Sequence, residues 1–355
     1  MKLGRYYHCS FGSVFNLLEG IPVQRYSPPT LLGNNPAHIS PFPTGNCTLC
    51  CPIEPDQDIQ YQLYTRRNPT IPNILAINDA TTLQRSSFNR SNPTIFYIHG
   101  YSERAPGLSA ATIRDAYLRR GEYNVVLVDW GKLSALPWYI TAVRNTRIVG
   151  PHVAGMVRWL EAQGAVPASR VHVIGFSLGA EVAGFMGKSL IPQQQVGRIT
   201  GLDAAFPLYM NTGTDGHLTA TDASFVDVIH TDGGIFGFPS PLGHADFYPN
   251  GGRPTQPGCT ADNIIFDGIT RVLNQYIACG HNRAWQFYAE SVGDPNGFPA
   301  SRCSRWRIEI PGNCTWTPDA RMGFAADSRI RGMFYLRTNA QPPFARNTTG
   351  YGIRR

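Results

Sequence analysis

The sequence predicts an α/β fold in which helices flank a mainly parallel central sheet. Three observations support this prediction: short β-branched apolar runs, stretches of helical periodicity between them, and their alternation from Asp58 to about Asn339. The predicted strands are residues 94–99, 124–130, 170–174, 198–202 and 225–230, and the clearest predicted helices are residues 140–162 and 178–190. Parallel strands are buried on both faces and therefore read as nearly continuous apolar runs, as these five segments do.

The chain divides by composition into three parts. Residues 1–45 are rich in proline, glycine and asparagine and predict an irregular N-terminal extension. Residues 46–345 predict one α/β domain, because 355 residues are ample for a single large core. Residues 346–355 predict a short polar tail.

Composition and charge exclude several classes of protein. With 15% charged and 42% hydrophobic residues, the sequence is typical of a globular protein and not of a disordered one. The net charge of +7 is modest and dispersed, and no basic stripe with interleaved aromatic residues predicts nucleic-acid binding. No apolar run is long enough to predict a transmembrane segment.

The cysteines and glycosylation sequons predict a secreted, disulfide-bonded glycoprotein. The chain has eight cysteines, an even number, and they cluster in sequence. It also carries four N-x-S/T sequons, at Asn46, Asn89, Asn313 and Asn347. Residues 1–20 contain no uninterrupted apolar run, so a signal peptide is not evident in this sequence.

A short cysteine cluster raises the question of a metal site. Cys47, Cys50 and Cys51 have the spacing of half a zinc site, but no second pair with nearby histidines completes it. We therefore expect no metal there. The pairing of these three cysteines and of Cys9 stays open.

The segment around Ser177 predicts a nucleophile elbow. An apolar strand pattern ends at Gly175-Phe176-Ser177-Leu178-Gly179, and a helical pattern follows at once. A sharp strand-to-helix turn exposes the serine hydroxyl, and only small residues fit beside its strained backbone. The alternative is a glycine-rich strand–helix turn with an incidental serine.

A serine nucleophile needs a base and an acid, which in this arrangement follow the serine in the order Asp, His. Asp203 ends the predicted strand 198–202 and is the strongest acid candidate; its rivals are Asp222, Asp227 and Asp232. The candidate bases that follow are His217, His230, His244 and His281. His230 and Asp232 could form a local pair at a strand end, so spacing alone leaves the choice of base open.

Five motifs occur in order along the chain: Gly175-Phe176-Ser177-Leu178-Gly179, Gly201-Leu202-Asp203, Phe225-Val226-Asp227-Val228-Ile229-His230-Thr231-Asp232, Pro249-Asn250-Gly251-Gly252 and Cys279-Gly280-His281-Asn282-Arg283. Together they resemble the catalytic domain of the pancreatic lipase family, from about Asp58 to Pro343. The chain is most similar to the insect members, which lack the C-terminal β-sandwich of the vertebrate enzymes. The resemblance implies an α/β-hydrolase fold with a lid loop, in which Ser177 is the nucleophile, Asp203 the acid and His281 the base. It also implies that His230 is structural.

The same resemblance predicts the donors of an oxyanion hole. Acyl transfer requires N–H groups aimed at the negative oxygen that develops in the tetrahedral intermediate. One donor is the backbone N–H of Leu178, directly after the nucleophile. The second is the backbone N–H of Tyr101, since Ile98-His99-Gly100-Tyr101 matches the family's His-Gly-aromatic motif.

A lid is expected between Cys259 and Cys279. One helical face there carries apolar residues: Ile265, Ile269, Val272, Leu273 and Tyr276. A disulfide closing this loop would fix its ends and leave its middle free to cover an apolar cleft. The alternative is an ordinary packed surface helix. Cys303 and Cys314 are the other candidates for a disulfide.

These features predict a secreted carboxylic ester hydrolase of the triacylglycerol lipase type, which needs no cofactor and acts on lipid at an oil–water or membrane interface. A nearly full-length lid favours triacylglycerol, whereas the short stretch 233–243 favours phospholipase A1. The family's yolk-protein relatives suggest a third, non-catalytic role in lipid binding or storage.

No calcium requirement is expected, because Asp222 is present but His217 and Thr219 stand where vertebrate members have other calcium-loop residues. Acyl-chain length, a colipase-like partner and the oligomeric state are not determined by the sequence.

Overall fold

The computed structural model describes residues 37–259, 278–305, 312–315 and 317–347. Its helices and strands, in chain order, are α1 (Pro55–Asp58), β1 (Gln60–Tyr64), β2 (Asn73–Leu75), α2 (Ala80–Gln84), β3 (Thr94–Ile98), α3 (Leu108–Arg120), β4 (Asn124–Asp129), α4 (Tyr139–Ala162), β5 (Val171–Phe176), α5 (Leu178–Leu190), β6 (Arg198–Leu202), β7 (Phe225–Ile229), β8 (Ala245–Pro249), α6 (Cys279–Gly293), β9 (Pro299–Arg305), β10 (Gly312–Cys314), β11 (Ala320–Arg321) and β12 (Gly332–Leu336).

One sheet runs through the molecule in the order β10-β9-β12-β8-β7-β6-β5-β3-β4-β1-β2, and β11 pairs with β9. The strands from β12 to β4 are parallel to one another, whereas β1, β2 and the strands beyond β12 pair antiparallel at the two ends. The five predicted strands are β3 to β7. The predicted mainly parallel sheet is therefore confirmed.

Helices cover both faces of the sheet. On one face α4 and α5 pack against each other and against a buried cluster that includes Phe96, Val126 and Val173. On the other face α3 and α6 pack together over Ile95, Val125 and other residues of the opposite pleat. Successive residues of a strand point to opposite faces, so strands covered on both sides are apolar at most positions.

Disulfides join three pairs of cysteines among the described residues. Cys47 is bonded to Cys50, so the cysteines with the spacing of half a zinc site form a disulfide. The other two bonds join Cys259 to Cys279 and Cys303 to Cys314, which are the candidates named from the sequence. The Cys259–Cys279 bond spans the expected lid, whose residues Ile265, Ile269, Val272, Leu273 and Tyr276 lie outside the described part of the chain.

The segment that precedes β1 is attached to the body of the domain. The backbone N–H of His38 donates to Ser102 O at 2.7 Å, and Leu136 N donates to His38 O at 2.8 Å. The sequon asparagines Asn46, Asn89 and Asn347 are exposed to solvent. Among the helices described, none has the length and apolar character that crossing a bilayer requires.

Candidate functional site

The residues singled out from the sequence meet at the carboxyl edge of the parallel strands. Tyr101 lies on the loop after β3, Ser177 directly follows β5, and Asp203 directly follows β6. His281 is in the first turn of α6. Because β3, β5 and β6 are neighbours in the sheet, segments far apart in sequence converge at this edge, where open α/β sheets bind ligands.

Ser177 occupies a strained turn between β5 and α5. Its φ of 56° and ψ of −122° lie in a region that residues with a side chain rarely adopt. The turn is tight because α5 packs directly onto the sheet. A Cβ atom at Gly175 would collide with Gly179 O, and one at Gly179 would collide with Ile98 O. The glycines of the motif therefore allow the close approach that places the serine at the edge of the sheet.

The Asp203 carboxylate is fully buried and fixed by three donors. Oδ1 accepts backbone N–H groups from Thr231 at 2.7 Å and Asp232 at 3.0 Å. Oδ2 lies 2.6 Å from His281 Nδ1. A Cβ atom at Gly237 would overlap this carboxylate, so the loop that covers the carboxylate requires glycine at this position. The result is a short, charge-assisted hydrogen bond shielded from water.

The imidazole of His281 is oriented from both sides. A carboxylate only accepts hydrogen bonds, so the proton shared with Asp203 belongs to Nδ1, and Nε2 is left as an acceptor. The Phe176 ring packs against the imidazole with centroids 4.7 Å apart, and the Phe236 ring does so at 5.5 Å. Sequence reasoning assigned no contact to these two phenylalanines; the ring–ring contacts come only from the folded loops.

Asp232 is a second buried carboxyl group beside the pair. It is 1% exposed, and its Oδ1 atom has no hydrogen-bond partner among the described residues. Burial, reinforced by the charge of Asp203, raises the pKa of Asp232 to about 7. Asp203, Asp232 and His281 each offer a ligand atom within 4.8 Å of the others. A metal there would have to displace the 2.6 Å hydrogen bond, so the group is better suited to holding protons than an ion.

Two backbone N–H groups remain as donors near the serine. Leu178 is the first residue of α5, where the N–H has no intrahelical partner and the helix dipole favours negative charge. Tyr101 N–H makes no hydrogen bond to any described residue. The two loops are adjacent, since a Cβ atom added at Gly100 would lie 3.1 Å from Ser177 Cβ. Burial raises the pKa of the Tyr101 phenol to about 12, so its hydroxyl stays neutral.

The rival histidines lie elsewhere. His230 is fully buried and pairs with Asp246 at 2.8 Å through Nε2, so it does not form the local pair with Asp232 that its position suggested. His217 contacts Leu218 O, and His244 accepts the N–H of Val226. Of these four candidates, His281 is the one that contacts a candidate acid.

The rival aspartates Asp222 and Asp227 each pair with a cation. Asp227 bonds to Arg198 at 2.7 and 2.8 Å, away from the serine. Both carboxylate oxygens of Asp222 accept from Lys188 Nζ at 2.6 Å. The same ammonium group donates to His217 O at 2.9 Å and Thr219 Oγ1 at 3.3 Å. A lysine cation thus lies among the oxygens of this loop, and the donor set does not fit a calcium ion.

A parallel sheet with a serine turn after β5 and an Asp–His pair at the adjacent strand end defines a protein of the α/β-hydrolase class. The family model described as Lipase matches residues 48–344. The chain belongs to this family, and the family assignment made from the motifs is confirmed.

Curated relatives agree with this assignment. The human inactive pancreatic lipase-related protein 1 is 35% identical over 83% of this chain and 66% of its own length. The pancreatic lipase-related protein 2 of Sus scrofa is 34% identical over 82% of the chain and 65% of its length. The pancreatic triacylglycerol lipase of Mus musculus is 34% identical over 83% and 67%, respectively. The chain thus spans about two thirds of the length of these relatives, one of which is named as inactive.

Solved structures are matched over smaller parts of the chain. A lipase/esterase from Lactobacillus plantarum covers 49% of this chain and 78% of its own, with 19% identity and a TM-score of 0.29. The acetyl xylan esterase of Aspergillus awamori covers 40% and 63%, with 17% identity and a TM-score of 0.28. These scores are too low to support any functional inference.

Proposed function

We propose that the protein is a secreted serine carboxylic ester hydrolase that cleaves fatty-acyl esters of lipids. The observation that carries this proposal is the buried 2.6 Å bond between Asp203 and His281, beside a serine on a strained turn. This combination provides an oriented base and a nucleophile held at the edge of the sheet. The three disulfides support the extracellular location.

In the proposed mechanism His281 Nε2 accepts the Ser177 hydroxyl proton as the oxygen attacks the ester carbonyl. Asp203 stabilises the imidazolium and fixes the tautomer that leaves Nε2 free. The N–H groups of Tyr101 and Leu178 donate to the oxyanion. His281 then protonates the leaving alcohol, and water attacks the acyl-serine ester to release the fatty acid and regenerate the serine.

The substrate class follows from family membership and from apolar side chains near the serine. Phe206 donates its backbone N–H to Phe236 O at 2.7 Å, and the nearby Leu208, Met210 and Ile235 are each more than half exposed. Exposed apolar residues beside a buried catalytic pair suit a long acyl chain. Triacylglycerol is the proposed substrate. Phospholipase A1 activity is the second candidate, favoured by the short stretch 233–243.

The test compares hydrolysis of emulsified triolein and of phosphatidylcholine by the wild type and Ser177→Ala. We expect the variant to lose at least about 10³-fold in kcat, because no other group supplies the nucleophile. Ser189→Ala, on the same helix α5, is the matched control and should retain wild-type activity. Equal turnover by wild type and Ser177→Ala contradicts the proposal, and activity confined to phosphatidylcholine selects the second candidate.

A further inference from the structure

Near the serine, the loop after β3 carries Glu103, a buried carboxylate that the mechanism above does not use. The residue is 7% exposed, and its Oε2 atom accepts the backbone N–H of Gly100 at 2.9 Å. Burying a carboxylate is costly, and among the described residues this one accepts a single hydrogen bond, from a backbone N–H, which calls for an explanation. Gly100 directly precedes Tyr101, whose N–H is one of the two proposed oxyanion donors.

The hydrogen bonds around this loop fix two successive peptide groups. In the peptide that joins His99 to Gly100, the carbonyl accepts from Trp130 Nε1 at 2.9 Å and the N–H donates to Glu103. In the next peptide, the carbonyl of Gly100 accepts from His99 Nδ1 at 2.9 Å. The N–H of that second peptide belongs to Tyr101 and is left without a described partner.

The direction of Tyr101 N–H follows from these bonds. A peptide group is planar, and its trans C=O and N–H point in opposite directions, so fixing the Gly100 carbonyl also aims the N–H of Tyr101. Glycine has little intrinsic backbone preference, and Gly100 would rotate readily if its own N–H were not bonded. Further along, Ser102 N donates to Ser134 O at 2.8 Å, which fixes the other side of Tyr101.

We propose that Glu103 is a positioning residue that holds Gly100 so that Tyr101 N–H faces the developing oxyanion. This inference rests on the function proposed above. The side chain does not touch the substrate; it acts through the orientation of one peptide group. A preorganised donor stabilises the transition state more than the ground state, so the role of Glu103 appears in kcat and not in KM.

The experiment compares Glu103→Met with Glu103→Gln on a soluble ester such as p-nitrophenyl butyrate. Methionine fills a similar volume without an effective acceptor, whereas glutamine keeps an acceptor oxygen at the same reach. We expect Glu103→Met to lose about 10- to 100-fold in kcat with KM within about twofold, less than deleting a donor outright. Glu103→Gln should remain within about threefold of the wild type.

A tetrahedral inhibitor separates positioning from a merely structural role. A trifluoromethyl ketone adds to the serine and places an oxyanion in the hole, so its Ki should weaken in Glu103→Met by the same factor as kcat. A loss of folded protein would lower the rate per total protein and leave Ki unchanged. Glu290→Met is the matched control, because this carboxylate accepts backbone N–H groups from Phe344 and Ala345 at the far end of α6.

Several results would overturn the inference. They are a kcat for Glu103→Met within twofold of wild type, an unchanged Ki, or a loss in Glu103→Gln equal to that in Glu103→Met. If Glu103→Met does not fold, a deficit in Glu103→Gln alone decides against the inference, and retained activity supports it. Ser177→Ala, assayed in parallel, separates the proposed hydrolase function from the proposed role of Glu103. If Ser177→Ala is fully active, both proposals are refuted. If Ser177→Ala is inactive and Glu103→Met has wild-type activity, only the role of Glu103 is refuted.

Discussion

Replacing Lys188 with methionine should lower the thermal stability of the protein. The decrease should not depend on whether calcium is present. The ammonium of Lys188 donates to both carboxylate oxygens of Asp222, to His217 O and to Thr219 Oγ1. The lysine side chain is 21% exposed and that of Asp222 only 1% exposed. Methionine preserves most of the apolar stem but removes the cation, which leaves the buried Asp222 carboxylate without its counter-ion.

The magnitude follows from this burial. Removing one partner of a buried ion pair costs about 3–5 kcal/mol, and the partial exposure of the lysine favours the lower value, ~3 kcal/mol. Large domains shift by roughly 2 °C per kcal/mol, so we expect the Tm to fall by about 6 °C. The double variant Lys188→Met/Asp222→Asn removes both charges and should recover most of this loss.

Thermal unfolding measured by calorimetry, in EDTA and in millimolar calcium, provides the assay. The wild type should melt at the same temperature in both buffers. The matched control is Lys132→Met, since Lys132 pairs with Asp58 at 3.2 Å with a side chain 57% exposed, and such pairs contribute less than about 1 kcal/mol. The reasoning is refuted if Lys188→Met melts within 2 °C of the wild type, or if EDTA lowers the wild-type Tm as much as the substitution does.

Two further predictions concern buried carboxyl groups. Asp203→Asn should lower kcat by about 10³- to 10⁴-fold with little change in Tm, because an amide can donate to Nδ1 of the His281 imidazole and favour the wrong tautomer. A loss of kcat under tenfold in steady-state assays would contradict the role proposed for Asp203. Glu181 is fully buried, and burial raises its pKa from the usual 4.5 to about 8. The folded state therefore holds this proton between pH 4.5 and 8 while the unfolded state loses it, so the stability that Glu181 contributes falls as pH rises through this window. Glu181→Gln cannot ionise, and its Tm should rise relative to that of the wild type between pH 5 and pH 8; parallel Tm profiles would exclude this account.

The predicted strands show which parts of the fold the sequence reveals. Strands β3 to β7 are buried on both faces, and their continuous apolar runs identify them without any knowledge of their neighbours. Strand β8 was not predicted, because Asp246 interrupts its apolar run and the strand ends at Pro249. The carboxylate of Asp246 is tolerated because it pairs with His230, directly after β7, and accepts the backbone N–H groups of Leu242 and Gly243, which are contacts that spacing does not reveal.

Some residues of the site could likewise be recognised from the sequence, and others only from the folded structure. Ser177 is recognisable from the glycines around it, because close packing of α5 on the sheet forces small residues at fixed positions. Asp232 was named as a rival acid, but its burial beside Asp203 depends on two strand ends meeting in space. No sequence pattern predicted the contacts of Lys188, because its oxygen partners lie 29 to 34 positions further along the chain.

The sequence alone determined the fold class and the family, and it predicted Ser177, Asp203 and His281 as the site, because these depend on local patterns of burial and on short motifs. Only the tertiary structure decided which carboxylate contacts His281, which cation neutralises Asp222, and that Glu103 accepts the backbone N–H of Gly100. The physical reason is that a parallel sheet brings together the ends of strands distant in sequence. A hydrogen bond of 2.6 to 2.9 Å then depends on that convergence and not on spacing along the chain.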